Sequence, residues 1–169
     1  TALKDQVYKT NRRLDARQNE YNLTKSLVEN LEGFPASVKF LKKNANWIKE
    51  APLLSDIFAV PEAYKVAMEN YLEPYLSYYV VPTRQDAVLS VHLLAEAAKG
   101  RANFFVLEEL QDYKSANPLL FTQATPALEV VEFAEPYKKL ASYLLDKVYF
   151  VPDESDIPDD LPEDSVFIT

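Results

Sequence analysis

No cysteine occurs in the chain, histidine occurs once as His92, and glycine only twice, as Gly33 and Gly100. Without cysteine a disulfide framework cannot form, and the cytoplasm is the default compartment. One histidine and no thiol also exclude structural zinc. Two isolated glycines cannot build a phosphate cradle or a dinucleotide fingerprint, where the backbone must approach the ligand at several points. A Ser-His-Asp or Cys-His relay would have to use His92. That residue sits in a helical stretch beside Val91, no Gly-x-Ser-x-Gly elbow accompanies it, and we read it as structural. No apolar run reaches the roughly 18 residues of a membrane span, and no charged-then-apolar leader opens the chain. We therefore expect no catalytic residue, no cofactor, no metal, no membrane contact and no small-molecule substrate.

The net charge of −8 is concentrated in one place. Asp153, Glu154, Asp156, Asp159, Asp160, Glu163 and Asp164 fall in one stretch without a base. The rest is close to neutral and carries no overall basic field of the kind that attracts nucleic acid. Ser155 and Ile157 break the alternation a calcium loop needs, and the central glycine is missing, so a solvated loop is expected. Glu108 and Glu109, read as strand neighbours, would point to opposite faces and not converge for acid–base chemistry. Lys39, Lys42 and Lys43 form a local basic cluster, with Arg101 further on.

What is present is a helix followed by an α/β pattern. Residues 1–31 lack glycine and proline, and Val7, Leu14, Tyr21 and Val28 recur every seven residues. The other seam positions, Leu3, Thr10, Arg17, Thr24 and Leu31, are apolar only at the ends. Two readings stay open: an amphipathic helix packed on its own domain, or the stub of a longer coiled coil. Glu32-Gly33-Phe34-Pro35 ends the helix, with Gly33 suited to the left-handed C′ position. Leu53 to Val60 reads as a buried strand. Val60-Pro61, Val81-Pro82 and Val151-Pro152 then each end a strand, and the first two launch helices. The first helix carries Tyr64, Ala67, Met68, Tyr71, Leu72 and Tyr75 on one face. The second carries Ala87, Val91, Leu94 and Ala98, with Thr83 and Asp86 at its start and Gly100 as C′ residue. Residues 101–107 read as a strand, 108–132 as an irregular connection containing Pro118 and Pro126. Pro136 then opens a helix with Tyr137, Leu140, Ala141 and Leu144, followed by strands at 148–151 and 165–168. The organisation is a mixed α/β fold: helix stub 1–31, first lobe 32–107, connection 108–132, second lobe 133–169. The dense Tyr71, Tyr75, Tyr78, Tyr79 cluster fits core and interface equally.

Several strings resemble the hinge domain of the SMC proteins, the chromosome-organising ATPases. Glu62-Ala63-Tyr64-Lys65-Val66-Ala67-Met68-Glu69 is similar to that family's "EYETAIE" helix, and Tyr79-Val80-Val81 to its "IVV" strand. Ala87 and Ala95-Glu96 fall in the helix that follows. The segment from Gly100 to Leu107 resembles "GRATFLPL", that from Tyr143 to Val148 resembles "YLLGDVLVV", and Ser165 to Thr169 resembles "RVVTLDG". The strings occur in the family's order from about residue 30 onward. The resemblance implies a two-lobed hinge that joins two subunits at the tip of a coiled coil in chromosome condensation and segregation, with the ATPase heads elsewhere. A bacterial, nucleoid-associated homodimer is the expected setting. The implied dimer contacts are Tyr75, Ser77, Tyr78, Tyr79, Val80 and Val81 in the first lobe and Ser165, Val166, Phe167 and Ile168 in the second. Lys39, Lys42, Lys43 and Arg101 are the candidates for weak DNA contact.

The chain departs from the family in three ways. Glu73-Pro74 stands where the family usually has Gly-Gly, the glycine-rich segment after the last strand would fall beyond Thr169, and the balance of charge is acidic. These departures imply a truncated second lobe and a weakened dimer. Two rival readings remain: a small-molecule-binding or catalytic α/β domain, which requires a pocket with convergent polar groups at the strand C-termini, and an adaptor that binds protein through the acidic loop.

Overall fold

The computed structural model describes residues 2–29, 31–116, 123–157 and 163–169. Pro118, Asp159 and Asp160, and the side chains of Leu3, Thr24 and Val28, lie outside this description. The chain opens with α1 (Ala2–Glu29), followed by α2 (Ala36–Asn44), α3 (Glu62–Leu72), β1 (Tyr79–Val81), α4 (Arg84–Glu96) and β2 (Phe104–Val106). β3 (Thr125–Pro126), α5 (Ala127–Val130), α6 (Lys138–Leu145), β4 (Val148–Phe150) and β5 (Val166–Ile168) complete it, with short 3₁₀ turns between. β1 and β2 pair in parallel through the α4 crossover, Val80 opposite Phe105. β4 is central in the second sheet, antiparallel to β3 and parallel to β5.

The two sheets lie on one main core. Leu54, Ile57, Met68, Leu72 and Val80 pack there with Ala127, Val131, Leu140, Leu145, Val148 and Phe150. A second cluster gathers Val38, Leu41, Ile48, Leu53, Ala87 and Leu94 around Tyr79 and Val81. β1 thus sends alternate residues to different cores, as the two-residue strand period requires. α3 behaves as its spacing predicts: Met68 and Leu72 are buried, Tyr64, Ala67 and Tyr71 pack against the main core, and Val66 faces solvent.

Four expectations are corrected. Residues 53–60 are not a strand: Leu54–Asp56 is a 3₁₀ turn, flanked by single bridges from Leu53 to Tyr79 and from Ala59 to Glu132. The Asp56 carboxylate accepts from the Leu53 N–H at 3.1 Å, which stabilises the turn against extension. The segment 125–130, read as irregular, forms β3 and α5, and Ala127 joins the core. α4 buries Ala87, Ser90 and Leu94, while Val91 is exposed. Ser90 can be buried because its hydroxyl donates to the Asp86 carbonyl at 2.7 Å and accepts from the Trp47 indole at 3.0 Å. Finally, α4 ends before Gly100. Ala98 takes the left-handed position at φ 51°, and Lys99 N–H reaches the Leu94 carbonyl at 3.0 Å while Ala98 N–H reaches Ala95 at 3.2 Å. This is a Schellman closure on an alanine. The Thr83 cap is as read, with its hydroxyl accepting from Asp86 N–H at 3.2 Å.

Candidate functional site

The rod comes first. Every described side chain of α1, at positions 4 and 6–23, is exposed, and Val7, Leu14 and Tyr21 are 54–65% exposed. A helix that packed on its own domain would bury its seam, and at the described positions this helix does not. The rod leaves through Leu31 and Gly33, both at positive φ, with Phe34 N–H on the Leu31 carbonyl at 3.0 Å. Gly33 is therefore one of two left-handed residues in this turn. Phe34 and Leu31 then pack against the second core cluster, which seats the rod on the globular part.

The strands named as association elements are placed unequally. Tyr79, Val80 and Val81 are no more than 1% exposed. One edge of β1 is occupied by β2, with Tyr79 N–H on the Asn103 carbonyl at 3.1 Å. Its other edge is occupied by residues 52–54: Val80 N–H meets the Pro52 carbonyl, and Leu54 N–H the Tyr78 carbonyl, both at 2.9 Å. Strand addition at β1 therefore has no open edge. The outer strand of this sheet is β2. In a parallel pair alternate residues face the partner strand, so Phe104 and Val106 direct their backbone groups away from β1. Tyr75, at 36% exposure, and half-buried Tyr78 pack on Phe105 from the β1 end, with ring centroids 6.0 and 5.2 Å away. Ser77 is half-buried beside them. In the second sheet β5 is the terminal strand. Ser165, Val166, Phe167 and Ile168 are half-buried, Val166 and Ile168 against the main core and Phe167 stacked on Tyr149 at 5.4 Å.

Tyr79 is more than an apolar filler. Its hydroxyl donates to the Val38 carbonyl at 2.9 Å, tying β1 to α2. Burial, with the Asp56 carboxylate nearby, pushes its pKa up to about 12.

The basic candidates converge on α2. Lys39 and Lys43 are one turn apart on its outward side. The Lys42 ammonium donates to the Lys49 carbonyl at 2.7 Å. The 99–101 loop is fastened to α2, since Ser37 Oγ donates to the Arg101 carbonyl at 2.6 Å and Lys99 lies 5.9 Å from the Phe40 ring centre. Lys99 thus lies against the helix that carries Lys39, Lys42 and Lys43, an addition sequence spacing could not reveal because it depends on the tertiary contact. Arg101 precedes β2 rather than opening it.

The alternatives to association fare as follows. His92 is exposed on α4, and no hydrogen bond to it is seen among the described residues. Glu108 and Glu109 lie in a 3₁₀ turn, not a strand, and they do converge. Glu108 accepts from the Arg84 N–H at 2.5 Å, and Glu109 lies 3.7 Å from the Arg84 guanidinium, so both secure the start of α4. A cavity of about 360 Å³ opens at the ends of β4 and β5, but its lining is largely apolar and contains no charged side chain. In the acidic stretch, Asp153 accepts from the Ser155 hydroxyl at 2.7 Å and its N–H at 2.9 Å, which holds its pKa below the usual carboxylate value. Asp164 pairs with Lys147 at 3.4 Å. No described helix is long and apolar enough to cross a membrane, and no cluster of metal-ligating side chains occurs among the described residues.

The arrangement defines a class: a two-lobed mixed α/β module, its two sheets on one core, seated at the end of an exposed helical rod. Residues 49–156 match the family model for the SMC proteins flexible hinge domain, and the chain belongs to that family. It is 31% identical over 135 residues to the chromosome partition protein Smc of Chlorobaculum tepidum, covering 80% of this chain and 11% of that protein. It is 29% identical over 157 residues to the Smc protein of Desulfitobacterium hafniense, covering 88% and 13%. The chain thus spans about one eighth or less of the length of these relatives. Among solved structures, the asymmetric dimer of the Geobacillus stearothermophilus SMC hinge domain superposes with a TM-score of 0.73 at 23% identity, covering 92% of this chain and 65% of that one. The Pyrococcus furiosus SMC hinge domain gives 0.61 at 21% identity, covering 81% and 73%. At these identities the likeness shows the hinge fold.

Proposed function

We propose that this chain is the hinge through which two copies of a bacterial Smc protein join at the tip of their coiled-coil arms, in the cytoplasm and on the nucleoid. Its work is association, not catalysis. The observation that carries this reading is the exposed rod α1 seated on a module whose family is the SMC hinge. The seam residues Val7, Leu14 and Tyr21 await a partner helix. The contact between copies uses the edge strands, β2 with Tyr75 and Tyr78 in one lobe and Ser165 to Ile168 in the other. Two such contacts related by a two-fold axis close on themselves and leave no edge for further growth. Sedimentation equilibrium over roughly 1–100 µM, where a modest interface becomes populated, tests it. The expected result is concentration-dependent conversion to twice the 19.3 kDa chain mass. A monomer throughout contradicts the reading.

DNA contact at α2 is a second reading, favoured by Lys39 and Lys43 on that helix and by the 99–101 loop, with Lys99 and Arg101, fastened to it. Double-stranded DNA should bind weakly and with a steep salt dependence, since each neutralised phosphate releases counterions. The double variant Lys39→Glu, Lys43→Glu should reduce affinity about tenfold or more at low salt, as measured by fluorescence anisotropy. Unchanged affinity dismisses the surface.

A further inference from the structure

Neither association nor DNA contact accounts for Asp146. It caps α6, is 5% exposed, and no cation pairs with it among the described residues. One of its carboxylate oxygens, Oδ2, instead accepts two hydrogen bonds from residues 30–33 positions away: the Tyr113 hydroxyl at 2.6 Å and the Ala116 N–H at 3.0 Å. Lys139 Nζ donates to the Tyr113 carbonyl at 2.7 Å, and the Tyr113 ring stands edge-on to Tyr143 with centroids 5.5 Å apart. These contacts all hold one stretch, residues 111–116, against α6. Within that stretch no residue is buried: Gln111, Asp112, Lys114 and Ser115 are exposed, Tyr113 and Ala116 half-buried.

The two ends of the preceding segment are held differently. Residues 107–110 pack on the main core through Leu107 and Leu110, and Glu108 and Glu109 grip Arg84. Residues 111–116 add no buried apolar side chain to any core cluster. A stretch with little buried area and a few polar fastenings opens at a free energy well below that of the whole fold. The Tyr113 hydroxyl and the Ala116 N–H are charge-assisted donors to the Asp146 carboxylate, so the closed position is favoured by Asp146 itself.

We propose that residues 111–116 form a strap that opens and closes on α6 as a unit while the rest of the fold stays intact, with Asp146 as the catch. Open, the strap frees the Asp146 carboxylate on the second lobe and releases the Tyr143 ring and the Lys139 ammonium from Tyr113. Closed, it occupies those groups with its own hydroxyl, amide and carbonyl. Asp146 is a positioning residue here, and Tyr113 is the part of the strap whose loss is mildest, because Tyr113→Phe removes one hydroxyl from a half-exposed ring.

Hydrogen exchange on the full chain, wild type against Tyr113→Phe, tests the strap, with carbodiimide-driven coupling of glycine ethyl ester to Asp146 as the second readout. A hydrogen bond to a charged acceptor is worth enough for its loss to speed local opening about tenfold. Exchange at Ala116 should accelerate by that factor, and Asp146 should label faster. In both proteins Ala116 should exchange faster than β4, and low urea should speed exchange in β4 steeply while leaving Ala116 nearly unchanged, because little surface is exposed when the strap opens. Asp146→Asn should reproduce the faster exchange at Ala116. Unchanged exchange at Ala116 in Tyr113→Phe overturns the proposal, and so does a urea dependence at Ala116 as steep as that in β4, because the strap would then open only with the core.

Discussion

Single residues in this chain carry strain and polarity that can be measured. Ala98 holds a left-handed conformation that costs an L-residue about 1 kcal/mol relative to glycine. It is exposed, so Ala98→Gly should raise unfolding stability by about that amount in urea titrations followed by Trp47 fluorescence. Tyr79→Phe should cost about 1 kcal/mol, the loss of its bond to the Val38 carbonyl. Tyr79 also links stability to pH. Its folded pKa of about 12 lies above the ordinary tyrosine value of 10.0, because burial disfavours the phenolate. The folded state therefore holds the proton more tightly, and the contribution is complete below pH ~10 and lost as pH rises toward 12. Tyr113, pushed to about 12 by burial and by its bond to Asp146, adds to the same loss. Urea midpoints that fall between about pH 10 and 12 in the wild type, and fall less in Tyr79→Phe, are the expected outcome. A flat profile would remove the linkage.

At the scale of elements, sequence pattern located helices better than strands. α3 was legible because its apolar residues recur at helical spacing, and α4 because Thr83 and Asp86 mark its start. The face of α4 was misplaced by one position, since spacing favoured Val91 over a serine whose burial depends on a tryptophan far away in sequence. Ser90→Ala should lower stability by about 1 kcal/mol and alter Trp47 emission, because the indole N–H then keeps only the Asp86 carbonyl, at 3.2 Å. Residues 53–60 are apolar enough for a strand, yet single bridges on either side of a turn were all that formed. β3 has two residues, too few for any alternating pattern to show. Of the two strands read as contacts, β5 lies at a sheet edge. The interior place of β1 followed from residues 52–54, which nothing in the local sequence pairs with Tyr78.

For the molecule as a whole, the family and fold were readable from six ordered strings, while the arrangement of charge was not. Lys99 reaches α2 only through tertiary packing, and the strap at Asp146 rests on contacts more than 25 residues apart. The central claim is that the first-lobe edge of one copy meets the second-lobe edge of another. The absence of native cysteine makes this directly testable. One preparation carries Val106→Cys, another Ser165→Cys, and the two are mixed and oxidised. A disulfide forms only where Cα atoms approach within about 7 Å. The account predicts a mixed disulfide dimer of the two variants, with far less product when Val66→Cys, on the solvent face of α3, replaces Val106→Cys. Equal crosslinking by the Val66 control, or none between positions 106 and 165, would contradict it.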